Sequence, residues 1–335
     1  MNTSTQSLPP TGKPTEISSL YIVKAIFALF VVAMHSPPFE SFVDNTLFAP
    51  FALVAVPIFY AITGYFLFSP EPQTVKRRSQ KMLTKALGLT LSTNLLYFGL
   101  HLFVAPREYE LSWQGVLNFL AFGTTIEGVL WYLLSLVYAL GFYTLIFSLR
   151  LGRYLGPIAV IMGVSGLLLG RYSFVLGAPG TILVDINAFS VAIPYVTLGY
   201  YIKKHEKWLM NFRWELPLLL LICLSFIEVF ALRGMSAYWG RFALTLPLAL
   251  GIICFAIQHK DFGTGSATAN CGKRYSGLIY YFHYIGIYAF RFITDCALHI
   301  DIFYQDMGFV YIFLFALVLA IAVDKAQNTL GWKIF

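Results

Sequence analysis

The stretch YIVKAIFALFVVAMHS, Tyr21 to Ser36, is apolar enough to enter a lipid bilayer, yet it carries Lys24 and His35. An ionisable side chain in hydrocarbon is costly, so it marks a function, a buried partner or a helix end that reaches water. Along an α-helix eleven residues turn through about 1100°, three turns plus roughly 20°, so Lys24 and His35 project from one face, about 16 Å apart along the axis. The plain alternative is that Lys24 snorkels to the inner headgroups and His35 only closes the helix before SPP.

The rest of the chain is of the same kind. Hydrophobic residues make up 58% of the 335 and charged residues 12%, about half the charged share of a soluble domain. One core cannot hide that much apolar surface, which implies an all-α, polytopic membrane protein. About ten apolar runs are long enough to cross ~30 Å of hydrocarbon: 17–36, 47–68, 82–104, 115–149, 154–170, 182–202, 215–233, 236–258, 273–291 and 308–324. The run at 115–149 is too long for one crossing and is expected to break into an interfacial helix over 113–123 and a span from about 129. Residues 1–16 lack the basic start and short apolar core of a cleaved signal. They are expected to form a disordered cytoplasmic tail ahead of a single membrane domain, 17–335.

Charge sets the expected orientation. With the N-terminus inside, the inner segments hold 17 Lys and Arg and the outer segments 5, with Lys24 set aside. That asymmetry places both termini in the cytoplasm and explains the net charge of +7 by basic loops facing anionic lipid rather than nucleic acid. Cys223, Cys254, Cys271 and Cys296 have no paired spacing and read as packing residues.

Other polar residues fall inside or beside the apolar runs. VPIFYAITGYFLF, Val56 to Phe68, is interrupted by Pro57 and Gly64, which packing alone explains in a membrane helix. In VKRRSQKMLTK, Arg77, Lys81 and Lys85 recur every four residues beside Arg78. They form either an ordinary positive-inside anchor or a cytoplasmic stripe for the phosphates of a nucleotide-bearing donor. TTIEGVLWYL places Glu127 toward the outer side, followed by Trp131 and Tyr132, which are either site residues or a solvated carboxylate and an aromatic belt. KRYSGLIYYFHYIGIY puts Ser276, Tyr280, His283 and Tyr284 on one helical face, with His283 near mid-membrane, where it needs a partner. Asp185 or Glu228 is placed to pair with Arg241, and such a pair can be purely structural.

Taken in order, these motifs resemble acyltransferase family 3, the integral-membrane acyltransferases. KAIFALFVVAMH has that family's spacing of a cation, ten residues and a histidine, with Lys24 where an arginine is usual. VPIFYAITGYFL is similar to its second-helix pattern, with Thr63-Gly64 on its Ser-Gly. LWYL resembles its Trp-aromatic-Leu signature, although Val129 stands where a histidine is common. The basic run after the second span resembles its Arg-rich cytoplasmic stretch, and YSGLIYYFHY places His283 on its late histidine.

The resemblance implies transfer of an acyl group, usually acetyl from acetyl-CoA, to a hydroxyl of a carbohydrate or glycolipid in a bacterial cytoplasmic membrane. His35, Glu127 and His283 are then the expected catalytic residues. His35 acts as general base, an imidazole being suited to proton transfer near neutral pH, and Glu127 or Asp185 orients it. Lys24, Arg77, Arg78, Lys81, Lys85 and Tyr280 are the expected acyl-CoA contacts, and Trp131, Asp185 and Arg241 the expected acceptor contacts. His283 or Tyr280 is expected to bond the thioester oxygen or position the donor. The rival reading is a secondary transporter or flippase, because intramembrane His, Lys and Asp beside Gly/Pro-broken helices also mark transport sites. The sequence has no GxSxG elbow, no HExxH, no phosphate-binding loop and no metal cluster.

Overall fold

The computed structural model describes residues 16–36, 48–103, 112–122, 126–232, 240–293 and 301–331. Within them every regular element is helical. The helices are α1 (Ser18–Met34), α2 (Ala49–Leu67), α3 (Pro72–Phe103), α4 (Trp113–Phe122), α5 (Trp131–Ser148), α6 (Leu155–Leu169), α7 (Ile193–Lys204), α8 (Glu206–Leu209), α9 (Glu215–Ala231), α10 (Thr245–Gln258), α11 (Ala267–Arg274), α12 (Ser276–Arg291) and α13 (Asp301–Leu330). Each of the ten apolar runs read from the sequence overlaps one of them. Five stretches are long and apolar enough by themselves to cross a bilayer: Ala49–Leu67, Pro72–Phe103, Gly128–Ser148, Gly152–Leu169 and Met307–Leu330. Ser18–Met34 and Thr245–Gln258 are shorter apolar helices. The expected N-terminal tail lies almost wholly outside the described residues, as does Cys296, while Cys223, Cys254 and Cys271 are free thiols.

Two runs differ in shape from their sequence reading, those at 82–104 and 182–202, while the run at 115–149 divides as expected. α3 begins at Pro72, ten residues ahead of the apolar run at 82–104. Its basic first turns are helical too, and at 1.5 Å per residue its 32 residues extend about 48 Å, well beyond the hydrocarbon thickness. The run at 115–149 divides into α4, only 10 residues long, and a 3₁₀ turn, Gly128–Leu130, that leads into α5. The run at 182–202 starts irregularly, with a 3₁₀ turn at Ile182–Val184 and a π turn at Ala188–Ala192 that continues into α7. Asn187 caps that π turn, its side chain accepting from the Ser190 amide at 3.0 Å.

α2 lies at the centre, with 72% of its span buried, against α1, α7, α9 and α10. Its approach to α7 is backbone on backbone. A Cβ built on Gly64 would meet the Val196 carbonyl oxygen at 1.8 Å, and one on Gly199 would meet that of Ala61 at 1.7 Å. Only a residue without a side chain permits such a crossing, the usual device of membrane helices, which cannot draw on hydrophobic expulsion from lipid. Gly272 does the same for α11 on α1, against the Tyr21 carbonyl oxygen. α3 packs along α5, and α12 lies between α1 and α13.

Buried phenols tie the helices together. Tyr60 donates to the Tyr132 carbonyl at 3.1 Å, Tyr97 to that of Tyr281 at 2.6 Å, Tyr280 to that of Val129 at 2.5 Å, and Tyr143 to the Thr197 hydroxyl at 3.0 Å. A hydroxyl in a region without water needs such an acceptor.

Candidate active site

α1 stops at His35. The His35 amide still donates to the Val32 carbonyl at 3.1 Å, and the backbone then leaves the helix, so the imidazole sits at the helix end. α12 brings Tyr280, His283 and Tyr284 toward it from one face. Trp131 enters at the start of α5, Asp185 from the irregular segment before the π turn, and Arg241 from the chain leading into α10. His35, Trp131, Asp185, Arg241, Tyr280 and Tyr284 line one cavity of about 370 Å³. Pro57 lines it as well, together with Leu53, whose carbonyl loses its helical donor because proline has no N–H.

The two histidines meet here. Their rings lie 5.5 Å apart, inclined by 30°. His283 is fully buried, and its Nδ1 lies 2.6 Å from the Tyr280 carbonyl oxygen. A carbonyl only accepts, so Nδ1 carries the proton, and in the neutral ring Nε2 keeps a lone pair. That Nε2 has no hydrogen-bond partner among the described residues. The His35 Nδ1 lies 3.3 Å from the Tyr284 hydroxyl. The expectation that Glu127 or Asp185 orients His35 thus meets a different geometry, in which a phenol stands beside that nitrogen.

Both carboxylates are engaged elsewhere. The Arg241 Nε donates to Asp185 at 2.7 Å, its amide donates to the same oxygen at 3.3 Å, and its two terminal nitrogens donate to the carbonyls of Ser190 at 3.2 Å and Val184 at 2.8 Å. Of the two sequence alternatives for Arg241, Asp185 is therefore the partner. Glu228 accepts from the Tyr172 hydroxyl and from the amides of Ala243 at 2.8 Å and Leu244 at 3.0 Å, capping the entry to α10. Glu127, 2% exposed, accepts from the Gly128 amide at 3.0 Å and the Tyr288 hydroxyl at 2.6 Å, and His101 lies 3.3 Å from it. Tyr280, whose hydroxyl is committed to Val129, presents its ring to the cavity wall.

The expected donor cations divide into two groups. Lys24 on α1 is close enough to Lys85 on α3 to feel its charge, and neither has a carboxylate partner among the described residues. Lys81 and Arg77 are exposed on successive turns of α3. Arg78 turns the other way, donating to the carbonyls of Phe66 at 3.4 Å and of Phe68, where it closes the C-terminal end of α2. It borders a second cavity of about 950 Å³ with Lys203, Glu206 and Lys260. There Lys203 donates to Glu206 at 2.6 Å and to Tyr65 at 3.1 Å.

His101 and Tyr288 stand out only in the structure. The sequence signal for His101 is a histidine inside an apolar run. Tyr288 follows Tyr284 by four residues, so the same helical face continues through it.

Among the described residues no group of three His, Cys, Asp or Glu is arranged to hold a metal. The family model described as an acyltransferase domain, acyltransferase 3, matches residues 17–324. No curated protein and no solved structure matches the chain.

Proposed function

Because the chain belongs to acyltransferase family 3 and is a multi-pass membrane acyltransferase, we propose that it moves an acyl group, acetyl foremost, from cytoplasmic acyl-CoA to a hydroxyl of a carbohydrate or lipid-linked sugar. The observation that carries this reading is the pair of stacked histidines beside a cavity at one end of α1, with two cations that lack a carboxylate partner toward the other. The charge asymmetry of the loops puts the cations on the cytoplasmic side and both chain termini with them, and a bacterial inner membrane is the setting this implies.

In this reading Lys24 and Lys85 receive the phosphates of the donor, with Lys81 and Arg77 at the mouth, since two neighbouring like charges are relieved by an anion between them. Arg78 serves the fold at the end of α2 instead. An extended pantetheine arm covers the roughly 16 Å from Lys24 to His35 and delivers the thioester to the histidines. The acceptor sugar lies against Trp131 in the cavity, a platform suited to the apolar face of a sugar ring. His35 takes the hydroxyl proton as the acceptor oxygen bonds to the acyl carbon, the carbon–sulfur bond breaks, and CoA leaves as the thiol once it gains a proton. Neutral His283 presents an acceptor at Nε2, which fits taking a proton onward from His35 better than donating to the thioester oxygen.

The test is transfer of label from acetyl-CoA to a membrane glycolipid extract by the purified protein in proteoliposomes. Wild type should transfer. His35→Ala should lose about 10²–10⁴-fold in rate, the usual worth of a general base, and still bind acetyl-CoA. A wild-type protein that binds no acyl-CoA, and instead moves a solute across the vesicle wall, would favour the transporter reading.

A further inference from the structure

A further space adjoins the active-site cavity. Between α6, α7 and α10 lies an apolar slot of about 430 Å³, walled by Gly156, Ala159 and Gly163 on α6, Pro194 and Leu198 on α7, and Leu246 on α10. The α6 residues recur every three or four positions, so the slot follows the helix axis. From Gly156 to Leu167 that is about 16 Å, close to half the ~30 Å hydrocarbon thickness. α6 has little protein around it: only 17% of its span is buried, and Val160 and Val164, which border the slot, are 65% and 48% exposed. The slot therefore faces the bilayer along its length.

Its outer end is shared with the active site. Arg241 lines both spaces. Beside it the π turn presents Ser190 to the slot and the next residue, Val191, to the His35 cavity, so the partition is a single turn of backbone. π turns of this kind occur often at functional sites.

We propose that the slot holds the hydrocarbon chain of a lipid-linked acceptor, with its sugar passing Arg241 into the His35 cavity. The inference rests on the acyl-transfer reading and narrows its acceptor to one anchored by an acyl or prenyl chain. Lining, direction and length suit a single chain lying parallel to its neighbours in one leaflet. The shared wall at Arg241 separates this occupant from ordinary bilayer lipid, which gains nothing from a headgroup position one turn of backbone away from the His35 cavity.

The test uses the full chain in phosphatidylcholine nanodiscs and a probe, hexadecyl glucoside with a diazirine in its chain. Photolabelling should fall on α6, α7 and α10, be displaced by unlabelled hexadecyl glucoside and not by added phosphatidylcholine, and drop at least tenfold in Gly163→Leu. A Cβ at Gly163 meets Pro194 no closer than 3.6 Å, so the first added carbon is accommodated and the leucine fills the slot. Leu246→Trp, from the opposite wall, should act alike. Equal displacement by phosphatidylcholine, or labelling untouched by both variants, would overturn the proposal in favour of a bilayer lipid only. Acetyl-CoA hydrolysis without acceptor, measured in the same samples, should be unchanged by either variant. If wild type labels as expected but consumes no acetyl-CoA, the slot stands and the acyl-transfer reading fails.

Discussion

His283 shows what a single hydrogen-bond direction decides. Its Nδ1–H is held by the Tyr280 carbonyl, its ring lies 5.5 Å from that of His35, and its Nε2 has no partner among the described residues. Asparagine can keep the donor near Nδ1 and has no counterpart of Nε2. His283→Asn should therefore retain the melting temperature within a few degrees while lowering turnover, whereas His283→Ala, which removes that bond and opens a cavity at a fully buried position, should also cost about 1–3 kcal/mol of stability. Equal activity in wild type and His283→Asn would remove the lone pair from the mechanism. Lys24 and Lys85 give an opposite pair of signs. Replacing Lys24 with methionine removes the charge that Lys85 opposes, so the protein without donor should melt at the same or a higher temperature, while KM for acetyl-CoA rises about tenfold, the loss of one charge-assisted contact of ~1.4 kcal/mol. A variant that melts lower and keeps its KM would make Lys24 a structural residue. Of this candidate site, His35 and His283 were legible in the sequence because an imidazole in an apolar run is conspicuous by itself. The choice of Asp185 over Glu228 for Arg241, and the placing of Glu127 with Tyr288 and His101, were not. Those pairings join segments 56, 161 and 26 positions apart, and only packing brings them together.

At the scale of elements, α2 and α7 cross where Gly64 and Gly199 leave each other's backbone room. Gly64→Ala and Gly199→Ala should each lower stability by about 1–3 kcal/mol or more, because the clash is with backbone rather than a side chain that can swing away. Gly88, Gly99 and Gly141, in α3 and α5, have nothing within 4 Å of an added Cβ. Alanine there should be neutral or stabilise by up to about 1 kcal/mol. Thermal unfolding in one detergent compares both sets, and indistinguishable shifts would refute the close crossing. The apolar runs located the helices because hydrocarbon demands both length and internal backbone bonding. They missed the first ten residues of α3, where the chain is helical but basic, and the broken entry to α7, where Asn187 and Ser190 replace helical bonds by side-chain ones.

Across the whole molecule the helices are unequally held. α2 is enclosed by its neighbours, whereas only 22% of the span Met307–Leu330 and 17% of the span Gly152–Leu169 are buried by protein. α13 leans on α12 and, more lightly, on α1, and Arg274 ties it to α11 through Asp324 at 2.9 Å. Drawn out of a bilayer by its last residue, the chain should then give way in a fixed order. α13 would peel off first and at low force, since it breaks contact chiefly with lipid and one neighbouring helix, and α2, threaded through the middle, would hold until its partners had gone. A force trace showing α13 as the strongest barrier would contradict that order. The same inequality gives the enzyme a firm axle and yielding staves: the histidines and their cavity stand on the part that resists, and the wall open to lipid is the part that gives.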